Sequence, residues 1–231
     1  MTTLVIATRN KHKVQEVSQI LGGNFRCLPL NEFPDAPVAI EDAETFSGNA
    51  TRKVLSLARW MSENPENVVK AATDEKLIYL VADDSGLEVD ALNGAPGVHS
   101  ARFAAQDLSG TANSPDSANN EKLLRLLDGK PVQERSARFR CVLAVLRLAI
   151  SHEPGIALPY SPGEVLLFEG ACEGRISGGA SGCGGFGYDP LFVPDGHVQS
   201  FAELGNELKN QLSHRARALE KLRQFLGKRR E

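Results

Sequence analysis

LIYLVADDSGLEVDAL, residues 77–92, joins an apolar run to two adjacent carboxylates and then to an alternating segment. Leu77–Ala82 is short, uninterrupted and rich in branched and aromatic side chains, as a buried strand requires. Asp83-Asp84-Ser85-Gly86 should stop it. Leu87–Leu92 alternates apolar with acidic residues and predicts a further strand, closed by a turn at Asn93-Gly94-Ala95-Pro96-Gly97.

Outward from this stretch, strand and helix patterns alternate. Leu4–Thr8 reads as a buried strand. A helix follows it, with Val14, Val17, Ile20 and Leu21 on one face and Gly22-Gly23 ending it. The spacing of Ala50, Val54, Leu57, Ala58 and Met61 predicts a helix from about Thr45 to Met61. Ser109–Asn120 is polar and reads as a surface loop before a helix over Glu121–Leu127. Phe139–Ala149 and Val165–Glu173 read as strands. Residues 153–163, rich in proline, read as an exposed loop. Leu208, Leu212, Ala216, Leu219, Leu222 and Leu226 line one face of a C-terminal helix. Strands and helices mixed in this order indicate an α/β fold in a single domain, 1–231, without repeat or linker.

With 231 residues the chain can bury a core without disulfide or metal staples. The 26 basic and 29 acidic residues leave a net charge of -3, so no excess positive charge argues for a nucleic-acid partner. No apolar stretch reaches the roughly 18 residues of a membrane span, and the N-terminus does not resemble a signal peptide. Cys27, Cys141, Cys172 and Cys183 form no C-x-x-C pair. All four should be reduced, as in the cytoplasm, with Cys27, Cys141 and Cys172 serving as small core residues.

Four groups of residues could carry chemistry. Thr8-Arg9-Asn10-Lys11-His12-Lys13 lies between a strand and a helix, where helix amides form an anion site. Thr8 and Asn10 could donate to phosphate oxygens and Lys13 adds a charge; taken alone, the segment reads more readily as a capped helix start with a solvated basic turn. No Walker loop occurs in the chain. Asp83 and Asp84 would repel each other if desolvated, and a hard cation such as Mg²⁺ removes that cost. An Asp-Ser-Gly turn is the plainer alternative. Glu41, with Asp42 and Glu44, could add a metal ligand or complement a helix dipole. Gly184–Pro190 combines glycines that admit close approach with Phe186 as a face for a base and Asp189 as an acceptor. Ser213-His214-Arg215, with Lys209 before it, places donors at a helix start, where Ser213 is a good N-cap.

Taken together, these pieces resemble the inosine/xanthosine triphosphate pyrophosphatases of the Ham1 type. TRNKHK, EDAETFSGNA, VADDSGLEVDALNGAPGVHSARFA, GGFGYDPLF, and FAEL followed by KNQLSHRARAL resemble that family's motifs in order, from Leu4 to about Leu226. The resemblance implies an elongated mixed central sheet with flanking helices, two lobes around a deep cleft, and a homodimer. It also implies a cytoplasmic hydrolase that uses Mg²⁺ to split ITP, dITP and XTP into monophosphate and pyrophosphate. Thr8, Arg9, Asn10, Lys11, His12 and Lys13 would then hold the triphosphate. Asp84 would bind the metal and activate water, with Asp83 and Glu41 as further ligands. Ser85 would touch the substrate. Phe186, Gly187, Tyr188 and Asp189 would stack on and orient base and sugar, Lys209 would line the base pocket, and His214 and Arg215 would read the purine 6-oxo group.

The chain departs from the pattern at Gly48, where the family usually has glutamate; at Arg9, which replaces a small residue and could add a phosphate contact; and at Cys183, where threonine is common. Two other readings are a Maf-like pyrophosphatase for modified pyrimidines, which the SHR and FGYD elements oppose, and a nucleotide-binding module without turnover, which Asp83, Asp84 and Lys13 oppose.

Overall fold

A computed structural model describes residues 1–72, 77–108, 112–149 and 164–228; the 153–163 loop lies outside them. The strands are β1 Thr2–Ile6, β2 Phe25–Pro29, β3 Leu77–Val89, β4 Ser136–Ala149, β5 Leu166–Ile176 and β6 Phe192–Pro194. The helices are α1 Lys11–Leu21, α2 Phe46–Glu63, α3 Pro65–Ala71, α4 Asp116–Leu126, α5 Phe201–Leu212 and α6 His214–Gly227. One sheet carries the strands in the order β2-β1-β3-β4-β5-β6. It is mixed: β1 runs parallel to β2 and β3, whereas β5 and β6 are antiparallel. Leu4, Val5 and Ile6 of β1 are all buried, which explains why this strand reads as continuous rather than alternating apolar sequence.

The chain divides into two compact units. The first comprises Met1–Asp84, Val142–Glu169 and Ala218–Glu231. Its buried residues include Leu4 and Ile6 of β1, Ile78 and Leu80 of β3, and Val54, Leu57, Ala58 and Met61 of α2. The second comprises Ser85–Cys141 and Gly170–Arg217. Its core gathers Leu87, Val89, Leu123, Leu127, Leu191 and a cluster of rings. Phe139 lies 4.7 Å from Phe192, centroid to centroid, and Phe192 lies 5.2 Å from Phe201.

The structure corrects four expectations. β3 does not stop at Asp83: Leu77–Val89 is a single strand running through Asp83-Asp84-Ser85-Gly86. Turn-forming residues stay extended here because partners elsewhere in the chain satisfy their side chains, so tertiary context overrides local preference. α4 begins at Asp116, not Glu121, because polar Asn119 and Lys122 are buried against backbone carbonyls and leave no apolar period to read. The C-terminal helical pattern is two helices, broken at Ser213 with ψ 158° and interrupted again at Gly205, φ 78°. In the second half of α5 Lys209 is buried, whereas Leu208 and Leu212 are only partly so. Cys141 and Cys172 are buried as expected, but Cys27 is only half-buried.

Candidate active site

In the first unit, the turn from β1 into α1 is tightly self-bonded. Asn10 is the N-cap of α1, and its Oδ1 accepts from the amides of His12 at 2.9 Å and Lys13 at 3.3 Å. Thr8 Oγ1 accepts from the Asn10 amide at 3.1 Å. Two amides expected to face an anion are therefore occupied by the cap, which leaves the Thr8 hydroxyl proton, the Asn10 Nδ2 group and the nearby cations as donors. Lys11 and His12 are exposed. The expected phosphate contact of Arg9 is not what its Nη2 makes. That nitrogen donates to the carbonyls of Pro34 at 3.1 Å and Ala36 at 2.8 Å, strapping the turn to the chain after β2.

Asp83 and Asp84 are 4% and 5% exposed, so both charges must be compensated within the protein. Successive residues of a strand leave opposite faces, and the two carboxylates have different partners. Asp83 pairs with Lys13 of α1. Asp84 Oδ1 accepts from Lys53 Nζ at 2.7 Å, and its Oδ2 accepts from Asn49 Nδ2 at 3.3 Å. Lys53 also reaches Glu41 Oε1 at 2.9 Å and the Asp83 carbonyl at 3.2 Å. Asn49 is fully buried, and its Oδ1 accepts from the Ala43 amide at 2.9 Å. Asn49 and Lys53 are one helical turn apart on α2; together they hold both oxygens of Asp84 and the segment that carries Glu41.

Burial raises the Asp84 carboxyl above its ordinary range, despite the opposing charges of Lys53 and Lys13. Burial would lower the Lys53 ammonium, but Asp84 and Glu41 outweigh it and raise Lys53 instead. The two partners respond unequally because Lys53 has two carboxylates, whereas Asp84 loses more hydration than its cations return. A raised carboxyl beside a firmly charged lysine suits a proton acceptor.

Sequence reading missed Lys53 and Asn49. Their signal was faint but present: two polar residues at i, i+4 adjoining the buried stripe Ala50, Val54, Leu57. Among the described residues no group of three His, Cys, Asp or Glu side chains could hold a metal ion. Asp84 and Glu41 nevertheless converge on one cationic point. Two hard oxygen donors without a complete protein cage fit Mg²⁺, which completes its shell with water and substrate phosphates.

In the second unit, α5, α6 and the glycine-rich loop bring together a second group. Lys209 and Asp189, each 2% exposed, pair at 2.5 Å. Asp189 Oδ2 also accepts from the Phe186 amide at 2.8 Å. Lys209 Nζ lies 4.5 Å from the Phe186 ring centre and the Arg215 guanidinium 6.0 Å from it. Arg215, 1% exposed, donates to Ser85 Oγ at 3.0 Å. Ser213 Oγ caps α6 by accepting from the Ala216 amide at 3.2 Å. His214 stacks on Phe139 at 4.8 Å and 14°. The structure thus gathers Ser85, Phe186, Asp189, Lys209 and Arg215. Tyr188 is a core residue: it is 4% exposed, and its hydroxyl donates to the Ser100 carbonyl at 2.9 Å. Burial, and then the charge of Asp116, push its phenol well above the ordinary value.

A cation on a carboxylate beside an aromatic face is a site for a flat ring bearing hydrogen-bond acceptors. The chain is 43% identical over 226 residues to the dITP/XTP pyrophosphatase of Desulforamulus reducens, spanning 97% of this chain and 96% of that protein. It is 42% identical to the dITP/XTP pyrophosphatase of Shouchella clausii, over 98% and 97% of the two chains. Among solved structures, a HAM1 protein from Coxiella burnetii superposes with a TM-score of 0.75 at 32% identity, covering 99% of this chain and all of that one. The Staphylococcus aureus Ham1 protein superposes with a TM-score of 0.73, also at 32% identity and with the same coverage. The Ham1 family profile matches residues 4–225, and this chain, carrying that family's motifs in their order on that family's fold, belongs to the Ham1 family.

Proposed function

We propose that this protein hydrolyses dITP, ITP and XTP to the monophosphate and pyrophosphate, removing altered purines from the nucleotide pool. The observation that carries the reading is the buried donor group around Phe186. Lys209 and Arg215 are cations held in place, and neither can accept a hydrogen bond. Hypoxanthine and xanthine present a carbonyl oxygen at C6, which such donors satisfy. Adenine presents an amino group there, and donor facing donor costs roughly 1–3 kcal/mol.

Asp84 is the proton acceptor. It takes a proton from the attacking water as the bond from water oxygen to phosphorus forms and the α–β anhydride breaks, with pyrophosphate leaving. Lys13 and Lys53 offset the charge of the phosphates, and Asn49 keeps the second oxygen of Asp84 oriented. Thr8 and Asn10, with Lys11 and His12 beside them, bind the triphosphate. Asp84 and Glu41 would hold Mg²⁺, which when bound neutralises phosphate charge and polarises the reacting phosphoryl group. Asp83, committed to Lys13 on the other side of the strand, tunes that lysine rather than binding the ion.

Membership of the family supports a homodimer and a cytoplasmic location as part of this reading. Among the described residues no helix is long and apolar enough to cross a membrane. The deciding experiment measures pyrophosphate release from ITP, XTP, dITP, GTP, ATP and dUTP with Mg²⁺, and again with a chelator. Selective turnover of the first three, lost on chelation, is expected. Equal rates on ATP, or turnover confined to dUTP, would overturn the assignment. Light scattering should give twice the mass of one chain.

A further inference from the structure

Two side chains of α4, outside every motif considered so far, hold the glycine between Phe186 and Tyr188. Gly187 donates its amide to Asp116 Oδ2 at 2.6 Å and accepts at its carbonyl from Asn120 Nδ2 at 3.0 Å. Asp116 and Asn120 are one helical turn apart and so share a face of α4.

Gly187 has φ +62°, a left-handed conformation that strains most residues bearing a side chain. A β-carbon there would meet nothing within 4 Å. The neighbouring glycines differ: Gly182 and Gly184 lie against the backbone of Ala202, and Gly185 lies against Asp189. Packing therefore holds the loop ahead of its aromatic turn but not at Gly187. The two hydrogen bonds from α4 do that instead. A glycine peptide has the widest conformational freedom of any residue, so these bonds decide its direction.

α4 is itself firmly seated. Asn119 Oδ1 accepts from the Ala104 amide at 2.8 Å, and its Nδ2 donates to the Ala101 carbonyl at 3.3 Å. Lys122 Nζ donates to the Phe103 carbonyl at 2.7 Å and stands 4.3 Å from the Phe103 ring centre. Tyr188 donates to Ser100 of the same segment. The helix and the 97–105 segment thus form one support beneath Gly187 and Tyr188.

We propose that Asp116 and Asn120 are positioning residues for purine binding: by fixing the amide and the carbonyl of Gly187, α4 sets the direction in which Phe186 presents its ring. This rests on the reading of Phe186 as the stacking surface for the base. Base contacts exist in ground and transition states alike, so the effect belongs in KM rather than kcat.

The test compares Asp116→Ala, Asn120→Ala, Asp116→Asn and Phe186→Ala in steady-state dITP hydrolysis. Thermal melting and hydrogen exchange at the Gly187 amide are followed in the same proteins. Losing the carboxylate bond should raise KM about tenfold, and losing the carboxamide bond about fivefold, with kcat within about twofold. Exchange at Gly187 should accelerate in Asp116→Ala. Asp116→Asn, which can still accept, should recover most of both. Should Asp116→Ala fail to fold, Asn120→Ala carries the same prediction. An unchanged KM in both alanine variants, with Phe186→Ala raising KM, overturns the clamp and leaves the base site standing. An unchanged KM in Phe186→Ala removes the stacking surface and the clamp with it. Equal damage from Asp116→Ala and Asp116→Asn would show a purely structural role and also overturn the proposal.

Discussion

As the proposed base, Asp84 meets opposed demands at the residue scale: it would have to be charged to take a proton, yet burial disfavours that charge. Because its carboxyl lies above the ordinary 3.8, kcat/KM should fall on acidification at a higher pH than a solvated aspartate would give. The sign for stability follows the same shift. A folded-state pKa raised above the unfolded one stabilises the fold in the protonated form, and that contribution is lost as pH rises through the folded value. Asp84→Asn, a permanently neutral isostere, should therefore melt no lower than wild type at neutral pH while losing roughly 10²–10⁴-fold in kcat. Retention of more than about a tenth of the rate would move the base role elsewhere. Arg215 makes the opposite kind of prediction. If its guanidinium reads the 6-oxo oxygen, Arg215→Ala should reduce kcat/KM for ITP far more than for ATP, by a factor worth up to roughly 3 kcal/mol. An unchanged ITP-to-ATP ratio would assign Arg215 to a contact common to all triphosphates.

At the scale of elements, the start of α2 explains how this chain accommodates the missing family glutamate. Gly48 is in the first turn, and its amide donates to Thr45 Oγ1 at 3.1 Å. A β-carbon on Gly48 would stand 2.8 Å from Ala43 Cβ and 3.0 Å from Thr45 Oγ1. Ala43 in turn is bonded through its amide to Asn49, so the close approach ties the Glu41 segment to the helix. Glycine-to-alanine exchanges in helices usually gain up to about 1 kcal/mol. Here the gain should be cancelled, because the new methyl must displace Ala43 and loosen the Asn49 bond. Gly48→Ala should melt at or below the wild-type temperature and raise the requirement for Mg²⁺. A melting temperature several degrees higher would show that the 42–44 segment yields freely. With glycine at this position, Glu41 and Asp84 still meet at Lys53.

For the molecule as a whole, cysteine reactivity reports how completely the fold closes. Cys183 is exposed, Cys141 and Cys172 are buried, and burial pushes the Cys172 thiol up to about 11. A thiol reagent at mildly alkaline pH should modify Cys183 rapidly, the half-buried Cys27 more slowly, and Cys141 and Cys172 only on unfolding, with the fastest phase absent in Cys183→Ser. Rapid modification of a second buried thiol would reveal a local opening. The α/β class, the positions of α1 and α2, the strands β1, β4 and β5, and the aromatic loop were all legible in the sequence, because periodicity, caps and glycines are local properties of the chain. The motifs also singled out Asp84, Lys209 and Arg215, and the structure buries all three. The unbroken course of β3 was not legible, because it depends on distant lysines that compensate Asp83 and Asp84. The early start of α4 was hidden in polar residues whose burial is paid for by carbonyls some twenty residues away. Lys53, Asp116 and Asn120 lie in no motif, and Asn49 lies in one without standing out from it. Their roles arise only when helices set them beside Asp84 and Gly187, since a hydrogen bond depends on separation in space and not along the chain.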